Sequence, residues 1–306
     1  MIYFCLFFGN QTSISQTYTT FDFLRLEMDA RAAALGNSNL AIQNDPAVIF
    51  RNPGAISTIQ DPSASIGFLK DLIDINAGYA SYVQKIENIG WFGGGVTYLN
   101  WGSMKKTDKF GNDIGTFGAG ELAVSAGYGN VYENLHYGGA VKFIFSSIDT
   151  YTASALALDA GISYSIPSEQ IVLGMSVLNI GTELSHYLDQ KLDLPLDIKI
   201  GISKKLEHLP LLLNLNFHKL NESQDNIAQH LSQFSIGGEF TLSDYVQARI
   251  GYNNEMHREL KLGQSAGLTG FSAGLGILVT PYKLDYAVTS WGDIGYLHRI
   301  SLGTTF

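Results

Sequence analysis

The chain has 306 residues and a net charge of −9, and only 15% of its residues are charged. A soluble globular protein usually has about 25% charged residues, and a nucleic-acid binder needs a basic face. No stretch reaches the roughly 18 consecutive apolar residues of a spanning helix. The composition therefore argues against a nucleic-acid partner, and leaves a membrane β-barrel or a soluble all-β protein with an uncharged polar surface.

Residues 1–16 are predicted to be the remnant of a signal peptide. An apolar segment at the start contains Cys5, the only cysteine, and a polar stretch follows it. Ser13 and Ser15 before Gln16 have the small-x-small form of a signal-peptidase site. Cleavage there would leave a mature chain without a thiol. The alternative is a short buried N-terminal strand.

Residues 17–61 are predicted to form an N-terminal plug with short helices. The charged, alanine-rich run Phe21–Leu35 indicates a helix that stops at Gly36. Asp45 can cap a second short helix, for which Pro46 is a favourable first residue. The turn predicted to end that helix consists of Asn52, Pro53 and Gly54.

Asp29 and Arg31 lie within the first of these helices and allow two interpretations. They could form an exposed helix pair worth a few tenths of a kcal/mol. Alternatively, they could lock the plug onto charges in a barrel lumen, such as Arg299, because buried charges need partners. We favour the second interpretation and expect residues 21–56 to lie inside or across the periplasmic mouth of a barrel.

The region 62–306 is predicted to be the barrel itself, because a long series of strands separated by turn signals occupies it. Most of the strands reach the 9–11 residues that cross a bilayer at a tilt, whereas strands of soluble sheets usually have about five or six. The fourteen predicted strands are 63–69, 75–84, 89–100, 116–129, 135–147, 151–165, 169–181, 195–206, 209–219, 231–241, 244–253, 267–279, 282–290 and 295–306.

Hydrophobic alternation supports these strands. In 156–166, apolar side chains including Leu156 and Leu158 share one face, and Asp159 lies on the other. A soluble sandwich would have the same period, so the lengths of the connections must decide between the two. The connections after even-numbered strands are short, whereas the long ones, 101–115, 182–194, 220–230 and 254–266, all follow odd-numbered strands. This sorting is typical of outer-membrane barrels, with short periplasmic turns and long external loops.

Three further patterns agree with a barrel. The chain ends on Phe306 after alternating apolar residues, like a strand that barrel-assembly machinery recognises. Tyrosine and tryptophan near strand ends are expected to form interface girdles: Tyr79, Tyr82, Tyr98, Trp101, Tyr128, Tyr132, Tyr137, Tyr282, Trp291 and Tyr296. Charges within strands fall on the polar face and are expected in the lumen: Glu121, Lys142, Asp159, Lys199, Glu239, Arg249, Asp285 and Arg299.

The sequence contains no motif for catalysis, a cofactor or a metal. It has no cysteine pair, P-loop or His-Glu-x-x-His, and the spacing of its seven histidines indicates no ligand set. Partner binding is expected in the four long loops, which can present Trp101, Phe110, Tyr187 and Met256. We therefore expect a non-enzymatic protein that uses no cofactor.

The segments FLRLEMDARAAALG (23–36) and DPAVIFRNPGAI (45–56) resemble the N-terminal signature of the PorV/PorQ family. The segment 291–302 looks like that family's last hairpin, and 194–195, 201–206 and 208–210 look more like its PorQ branch. The plug residues that carry the resemblance are Phe23, Asp29, Arg31, Gly36, Asp45, Pro46, Asn52, Pro53 and Gly54.

The resemblance implies a fourteen-stranded barrel related to long-chain fatty-acid transporters. Such barrels act in type IX secretion in the outer membrane of the Bacteroidota and their relatives. PorV-like members receive cargo that bears a C-terminal β-sandwich signal, and PorQ-like members help to tether the surface attachment complex. The expected partners are therefore other type IX secretion proteins or cargo C-terminal domains, outer-membrane lipid and the barrel-assembly machinery.

Two other functions compete with this leading hypothesis. A FadL-like transporter of hydrophobic small molecules would need an apolar lumen pocket and a lateral opening. The predicted lumen side is mostly glycine, serine, asparagine and charged residues, which disfavours a transporter. A soluble or surface β protein is the second alternative, and the solubility of the mature chain without detergent would establish it.

Overall fold

The wall of the molecule is a closed cylinder of antiparallel strands. The computed structural model describes residues 19–70, 75–187, 191–222, 226–260 and 267–306. Within these ranges fourteen strands pair in chain order, and the last pairs with the first. They are β1 (Ser63–Lys70), β2 (Asn76–Ile86), β3 (Gly90–Thr107), β4 (Asp113–Tyr132), β5 (Leu135–Ile148), β6 (Tyr151–Ile166), β7 (Ile171–Ser185), β8 (Asp197–Lys205), β9 (Leu211–Phe217), β10 (Phe234–Thr241), β11 (Val246–Asn253), β12 (Phe271–Val279), β13 (Tyr282–Ser290) and β14 (Tyr296–Thr305).

The apolar face of the strands points outward, as the transmembrane interpretation requires. On β6, Leu156 and Leu158 are 43% and 55% exposed, whereas Ala155, Ala157 and Asp159 are buried on the inner face. In the other strands with this alternation the large apolar side chains also point outward, so they form a belt around the cylinder. A soluble monomer rarely exposes such an area. The predicted fourteen-stranded transmembrane barrel is confirmed.

The cylinder closes where the two ends of the barrel sequence meet. Ser63 of β1 lies opposite Thr305 of β14, and the pairing runs to Lys70 opposite His298. The barrel therefore begins and ends at the same end, as expected. Short turns connect the strands at that end, which we call the short-turn end. The opposite end carries the long connections, and we call it the long-loop end.

One of the four predicted long loops is wrong. Residues 101–115 are mostly strand, because β3 and β4 continue past the rim of their neighbours as a paired hairpin with a bulge between Asn100 and Ser103. The hydrophobic alternation of the side chains ends at the edge of the apolar belt, but the backbone pairing of β3 and β4 continues to Thr107 and Asp113. The sequence pattern therefore predicted too long a loop. The other three long connections lie at the long-loop end, and two contain helices, α2 (Ile227–Leu231) and α3 (Asn254–Leu260).

The plug, residues 19–62, fills the lumen along its length. Thr19 forms a bridge with Asp193 in the connection between β7 and β8 at the long-loop end. The chain then passes through the lumen and leaves at the short-turn end, where it becomes β1. Residues 21–56 were expected to lie inside or across the periplasmic mouth; they lie inside the lumen, and the plug as a whole extends from one mouth to the other. The predicted signal-peptide remnant, with Cys5, lies outside the described residues.

The helices of the plug are shorter than predicted. A 3-10 helix (Asp22–Arg25), an extended stretch and helix α1 (Ala30–Ala34) replace the single helix predicted over 21–35. The break occurs because Asp29 has extended backbone angles and its carboxylate accepts from the Ala32 nitrogen as a cap. The second predicted helix is a 3-10 helix, Pro46–Phe50, capped by Asp45.

The predicted turn at Asn52 instead begins a third helical segment, the 3-10 helix Pro53–Thr58. The side chain of Asn52 accepts a hydrogen bond from the Gly54 nitrogen, so the asparagine caps a new helix. None of the helices in the described ranges is long and apolar enough to cross a membrane.

Candidate functional site

Close backbone contact seats the plug in the wall. A Cβ atom on Gly251 of β11 would lie 2.1 Å from the backbone nitrogen of Gly36. On the opposite side, a Cβ on Gly54 would lie 2.3 Å from the carbonyl oxygen of Gly161 in β6. Only glycine allows such approaches, because any side chain would push the two backbones apart. Gly36 also has φ +66°, which ends α1 as the sequence predicted.

A chain of ion pairs fixes α1 to β10, β11 and β13. Arg31 binds Glu239 through two bonds, of 2.8 Å from Nε and 2.7 Å from Nη2. Arg249 donates to the same carboxylate at 2.6 Å and to Asp285 at 2.6 Å. Asp45 lies 3.6 Å from Arg31. Glu239, Arg249 and Asp285 are buried, and the side chains of Arg31 and Asp45 are each only 12% exposed, so all five depend on their partners for solvation.

A second arginine, Arg51, joins the carboxylates within the plug. It lies 3.1 Å from Glu27, 3.6 Å from Asp29 and 3.7 Å from Asp45. Tyr79 of β2 donates to Asp29 at 2.9 Å. Because Asp29 and Asp45 also cap helices, Arg51 ties the separate helical segments of the plug into one unit.

The last strand holds the plug through its backbone. Arg299 donates to the carbonyl oxygen of Glu27 at 2.8 Å and to Thr289 at 2.9 Å. The Ala30 nitrogen donates to the hydroxyl of Ser301 at 2.9 Å. Asp29 and Arg31 were expected to lock the plug onto lumen charges such as Arg299, and Arg299 holds the plug at the carbonyl oxygen of Glu27, two residues before Asp29.

A separate polar cluster lies in the wall of β5–β7. Lys142 lies 2.9 Å from Asp159 and donates to Asn179 at 2.7 Å. Asn179 has φ +62° in an irregular part of β7, and its nitrogen donates to Asp159 at 2.7 Å. Its side chain also donates to the carbonyl oxygen of Pro195. The cluster anchors the long connection after β7 to the wall.

The eight charges expected in the lumen all lie on the inner face of their strands. Glu121 accepts from the Trp101 indole at 3.2 Å, and Lys199 lies 3.2 Å from Asp197. The sequence pattern missed Arg51 and Glu27 because they lie in the plug, where no alternation marks a face. Tyr79 was wrongly assigned to the interface girdle, since it is buried inside the lumen, and Trp291 also packs inward.

One side of the long-loop half of the lumen, along β1–β6, is apolar, whereas the opposite wall carries polar side chains as the sequence predicted, including Asn216, Ser235 and Ser272. Phe21 and Phe23 of the plug fill it, and alanines on the wall leave room for their rings. We call this region the apolar vestibule, and its buried members are Phe21, Phe23, Met28, Leu69, Ala77, Tyr79, Leu99, Ala123, Ile144, Ala153, Ala155, Ala157, Leu194 and Leu297, with Ala47 at its inner edge.

Phe21 is held in a strained conformation. Its backbone angles, φ 61° and ψ 37°, are left-handed, which a bulky residue adopts at a cost of about 1–3 kcal/mol. Packing within the apolar vestibule must supply the compensation. Arg25 ties the adjacent chain to the loops, because it donates to the carbonyl oxygen of Leu196 at 3.0 Å and to Glu222 at 3.1 Å.

A small cavity of about 50 Å³ borders the apolar vestibule. Phe23, Leu26 and Met28 line one side of it, and Lys142 and Lys199 line another. A cavity of this size holds a few water molecules, whereas the engineered apolar cavity that binds benzene measures about 150 Å³. A hydrocarbon can therefore occupy this part of the lumen only if the plug residues move.

The candidate loop residues differ in how they are presented. Phe110, at the tip of the β3–β4 hairpin, is 78% exposed, and Trp101 is exposed at its base. Met256 lies half-buried in α3. Tyr187 turns inward, where its hydroxyl binds Ser146 and its ring packs against the apolar vestibule. Its expected role as a displayed anchor is therefore wrong.

An ion-pair cluster of His218, Lys219 and Glu255 holds α3 over the long-loop end. His218 Nε2 lies 2.7 Å from Glu255, and Lys219 contacts the other carboxylate oxygen. Burial alone would raise the pKa of Glu255, but the hydrogen bond from His218 and the charge of Lys219 outweigh it and lower this pKa to about 2. We call these three residues the Glu255 cluster.

The C-terminal residue lies at the short-turn end. Phe306 is exposed, its nitrogen donates to the carbonyl oxygen of Pro62 at 2.9 Å, and its ring meets Tyr82 edge-on. In the described ranges, no group of three or more histidine, cysteine, aspartate or glutamate side chains could hold a metal ion.

Comparison with known proteins connects this architecture to channels. No family model and no curated protein matches the sequence. Among solved structures, the Ralstonia pickettii toluene transporter TbuX is 13% identical with a TM-score of 0.61, over 92% of this chain and 98% of that one. The Pseudomonas putida toluene transporter TodX is 12% identical with a TM-score of 0.61, over 92% and 99%.

The CymD monoaromatic hydrocarbon channel is also similar, with 10% identity and a TM-score of 0.57 over 92% of this chain and 98% of that one. These structures are channels and transporters. At such low identity the likeness concerns the fold alone, and it agrees with the closed barrel. The chain therefore has the fold of these channels and transporters, a closed fourteen-stranded antiparallel transmembrane β-barrel.

Proposed function

We propose that this barrel is an outer-membrane channel for hydrophobic small molecules. The observation that carries the proposal is the apolar vestibule, which two phenylalanines of the plug occupy. A phenyl ring placed there has the size and chemistry of a monoaromatic solute. The toluene transporters and the hydrocarbon channel that share the fold agree with an apolar solute.

The distribution of loops gives the channel an orientation. In outer-membrane barrels, short turns face the periplasm and long loops face outward. With that orientation, in the outer membrane of a Gram-negative bacterium, the apolar vestibule lies on the outer side. An incoming solute would then reach the apolar vestibule before it reaches the charged half of the plug.

Solute uptake in this scheme requires only the first part of the plug to move. Residues 19–25 contain the strained Phe21, and two loops and the apolar vestibule hold them. The ion pairs of Arg31 and Arg51 lie deeper in the lumen and fix the rest of the plug. A solute that displaces the phenylalanine rings can therefore bind while the deeper plug stays in place.

Removal of the two rings tests the proposal. The double variant Phe21→Gly and Phe23→Ala empties the apolar vestibule and relieves the left-handed strain. Bromobenzene quenches tryptophan fluorescence, and Trp291 packs against the apolar vestibule, so its quenching reports binding. We expect the variant to bind bromobenzene more tightly than the wild type, and Phe110→Ala, at the hairpin tip, to behave as the wild type.

Transport itself is measured as the initial rate of toluene uptake by cells that lack their own hydrocarbon channel. We expect uptake to exceed that of cells with an empty vector. Heat-modifiable mobility on gels establishes that the barrel is folded. A folded wild-type barrel and a folded double variant that both fail to raise uptake would contradict the transport proposal.

A second candidate function is a part in type IX secretion, which the resemblance of 23–36 and 45–56 to the PorV/PorQ signature favours. These segments carry the ion pairs that keep the lumen filled. A filled lumen suits a barrel that works through its surface. In that role the exposed hairpin tip at Phe110 and the loop helices α2 and α3 would bind cargo C-terminal domains or attachment proteins.

Deletion of residues 105–113 tests this second candidate. The deletion shortens the projecting hairpin and leaves the paired wall below Asn100 intact. We expect barrel assembly to survive and the capture of secretion partners from outer membranes, identified by mass spectrometry, to fall. Unchanged capture after each of the outer loops is shortened in turn would remove the loops from consideration.

A further inference from the structure

A histidine and a tyrosine form a polar pair on the outer face of the barrel, beside the apolar belt. His298 of β14 and Tyr286 of β13 both point outward, and the tyrosine hydroxyl lies 2.7 Å from Nδ1 of the histidine. Their rings stack with centroids 6.1 Å apart. Lys70 of β1 lies directly across from His298 in the β1–β14 ladder and also points outward. Two basic side chains and a phenol thus adjoin on the surface that faces lipid.

The position of these residues places them at the level of lipid headgroups. Lys70 is the last residue of β1, and His298 is close to the start of β14, both at the long-loop end. A charged side chain deep in the hydrocarbon would be costly, whereas the membrane boundary tolerates it. Below the pair the outward face is apolar again, with Phe68 at 62% and Ile300 at 47% exposed.

The chemistry of the pair suits an anion. The hydrogen bond with Tyr286 engages Nδ1 of His298 and fixes the ring, so Nε2 faces away from the tyrosine. Cβ atoms of directly opposed residues lie about 5 Å apart, so the flexible lysine can reach the same oxygen-rich group as the imidazole. No acidic side chain faces outward from β1, β13 or β14 in the ranges that the structure describes.

We propose that Lys70 and His298 bind the phosphate of a lipid headgroup, with Tyr286 as a positioning residue. The acyl chains of this lipid lie against Phe68 and Ile300, which continue the surface directly below the two basic groups. This continuity favours a lipid over free phosphate as the ligand. With the long loops outside, the lipid belongs to the outer leaflet, so this inference rests on the proposed orientation but not on transport.

The test measures lipid retention by native mass spectrometry. The full chain is reconstituted in phosphatidylcholine nanodiscs that contain a minor fraction of bis-phosphorylated lipid A, and then extracted into detergent. A basic residue near a membrane surface contributes about 1 kcal/mol, so we expect Lys70→Gln and His298→Phe each to weaken retention about fivefold. We expect Tyr286→Phe to have a smaller effect that a phosphate-rich lipid mixture restores.

Lys85→Gln provides the matched control. Lys85 is an exposed lysine at the short-turn end, where its ammonium lies over the Trp91 ring, and its replacement should leave retention unchanged. Equal retention by Lys70→Gln and the wild type would overturn the proposal, even if His298→Phe failed to fold. Equal retention of dephosphorylated lipid A would overturn the phosphate contact, and competition by inorganic phosphate at the same concentration would overturn the lipid assignment.

Discussion

Replacement of Arg31 by methionine should loosen the plug while the barrel remains folded. Arg31 is the main ionic contact between the plug and the wall, through its two bonds to Glu239. Methionine keeps much of the side-chain volume and leaves Glu239 in place. Because Arg31 is only 12% exposed at its side chain, solvent cannot replace the lost partner.

The magnitude follows from the partners that remain. Removal of one member of a buried ion pair costs about 3–5 kcal/mol when the other member is left without compensation. Glu239 keeps its 2.6 Å contact with Arg249, and Asp45 keeps Arg51 at 3.7 Å. We therefore expect a smaller cost than this range, about 2–3 kcal/mol, which raises the displaced fraction of the plug about 30- to 150-fold.

Ion conductance across planar bilayers measures that displaced fraction, because a barrel whose plug has left its seat conducts. Lys106→Met is the control, since Lys106 forms an exposed pair with Asp149 and should change conductance little. The double variant Arg31→Met and Glu239→Met should cost less than the sum of its parts. If Arg31→Met conducts no more than Lys106→Met, the ion pair does not hold the plug.

Three other changes probe the wall, the plug seat and the loops. Leu158→Arg should cost about 2–4 kcal/mol in refolding into vesicles if it lies near the bilayer midplane, and normal refolding would contradict its lipid-facing position. Gly54→Ala should unseat the plug and raise conductance, whereas Gly94→Ala should not, because its new methyl would meet no atom closer than 3.9 Å. The lowered pKa of Glu255 means that its cluster contributes stability above the ordinary value of 4.5 and loses it as the pH falls through about 2. Met256 follows Glu255 in α3, and its methyl NMR signal should report the release of α3 as the pH falls from 4.5 through about 2. A Met256 signal that does not change over this pH range would show that the Glu255 cluster does not hold the helix.

The strands could be predicted from the sequence because each side of the wall faces one environment. Leu158 faces lipid and Asp159 faces the lumen, so the alternation is regular and the predicted ends fall within a few residues of the observed ones in most strands. The pattern failed at the β3–β4 hairpin, where residues above the rim face neither lipid nor a filled lumen. In that hairpin the hydrophobic alternation therefore gives no information about where β3 ends and β4 begins.

The site itself was harder to predict, because its contacts join residues far apart in the chain. Arg31 was expected to find a lumen charge, but its partner Glu239 cannot be distinguished from the other inward charges without the register of the strands. The trajectory of the plug was missed for the same reason. The helix pattern of 21–35 shows local preference, but it does not show that Asp29 adopts extended backbone angles and caps the shorter helix α1.

The passage of the plug through the whole lumen constrains the order of assembly. Thr19 lies at one end of the barrel, and Ser63 begins β1 at the other. If the cylinder closed while empty, the N-terminal segment would have to thread between the walls against the glycine contacts that now seat it. Strand β14 binds both β1 and the plug, through Ser301 and Arg299. Strand β14 therefore has all of its partners only when the plug already lies inside the lumen. Closure of the wall and filling of the lumen then occur together.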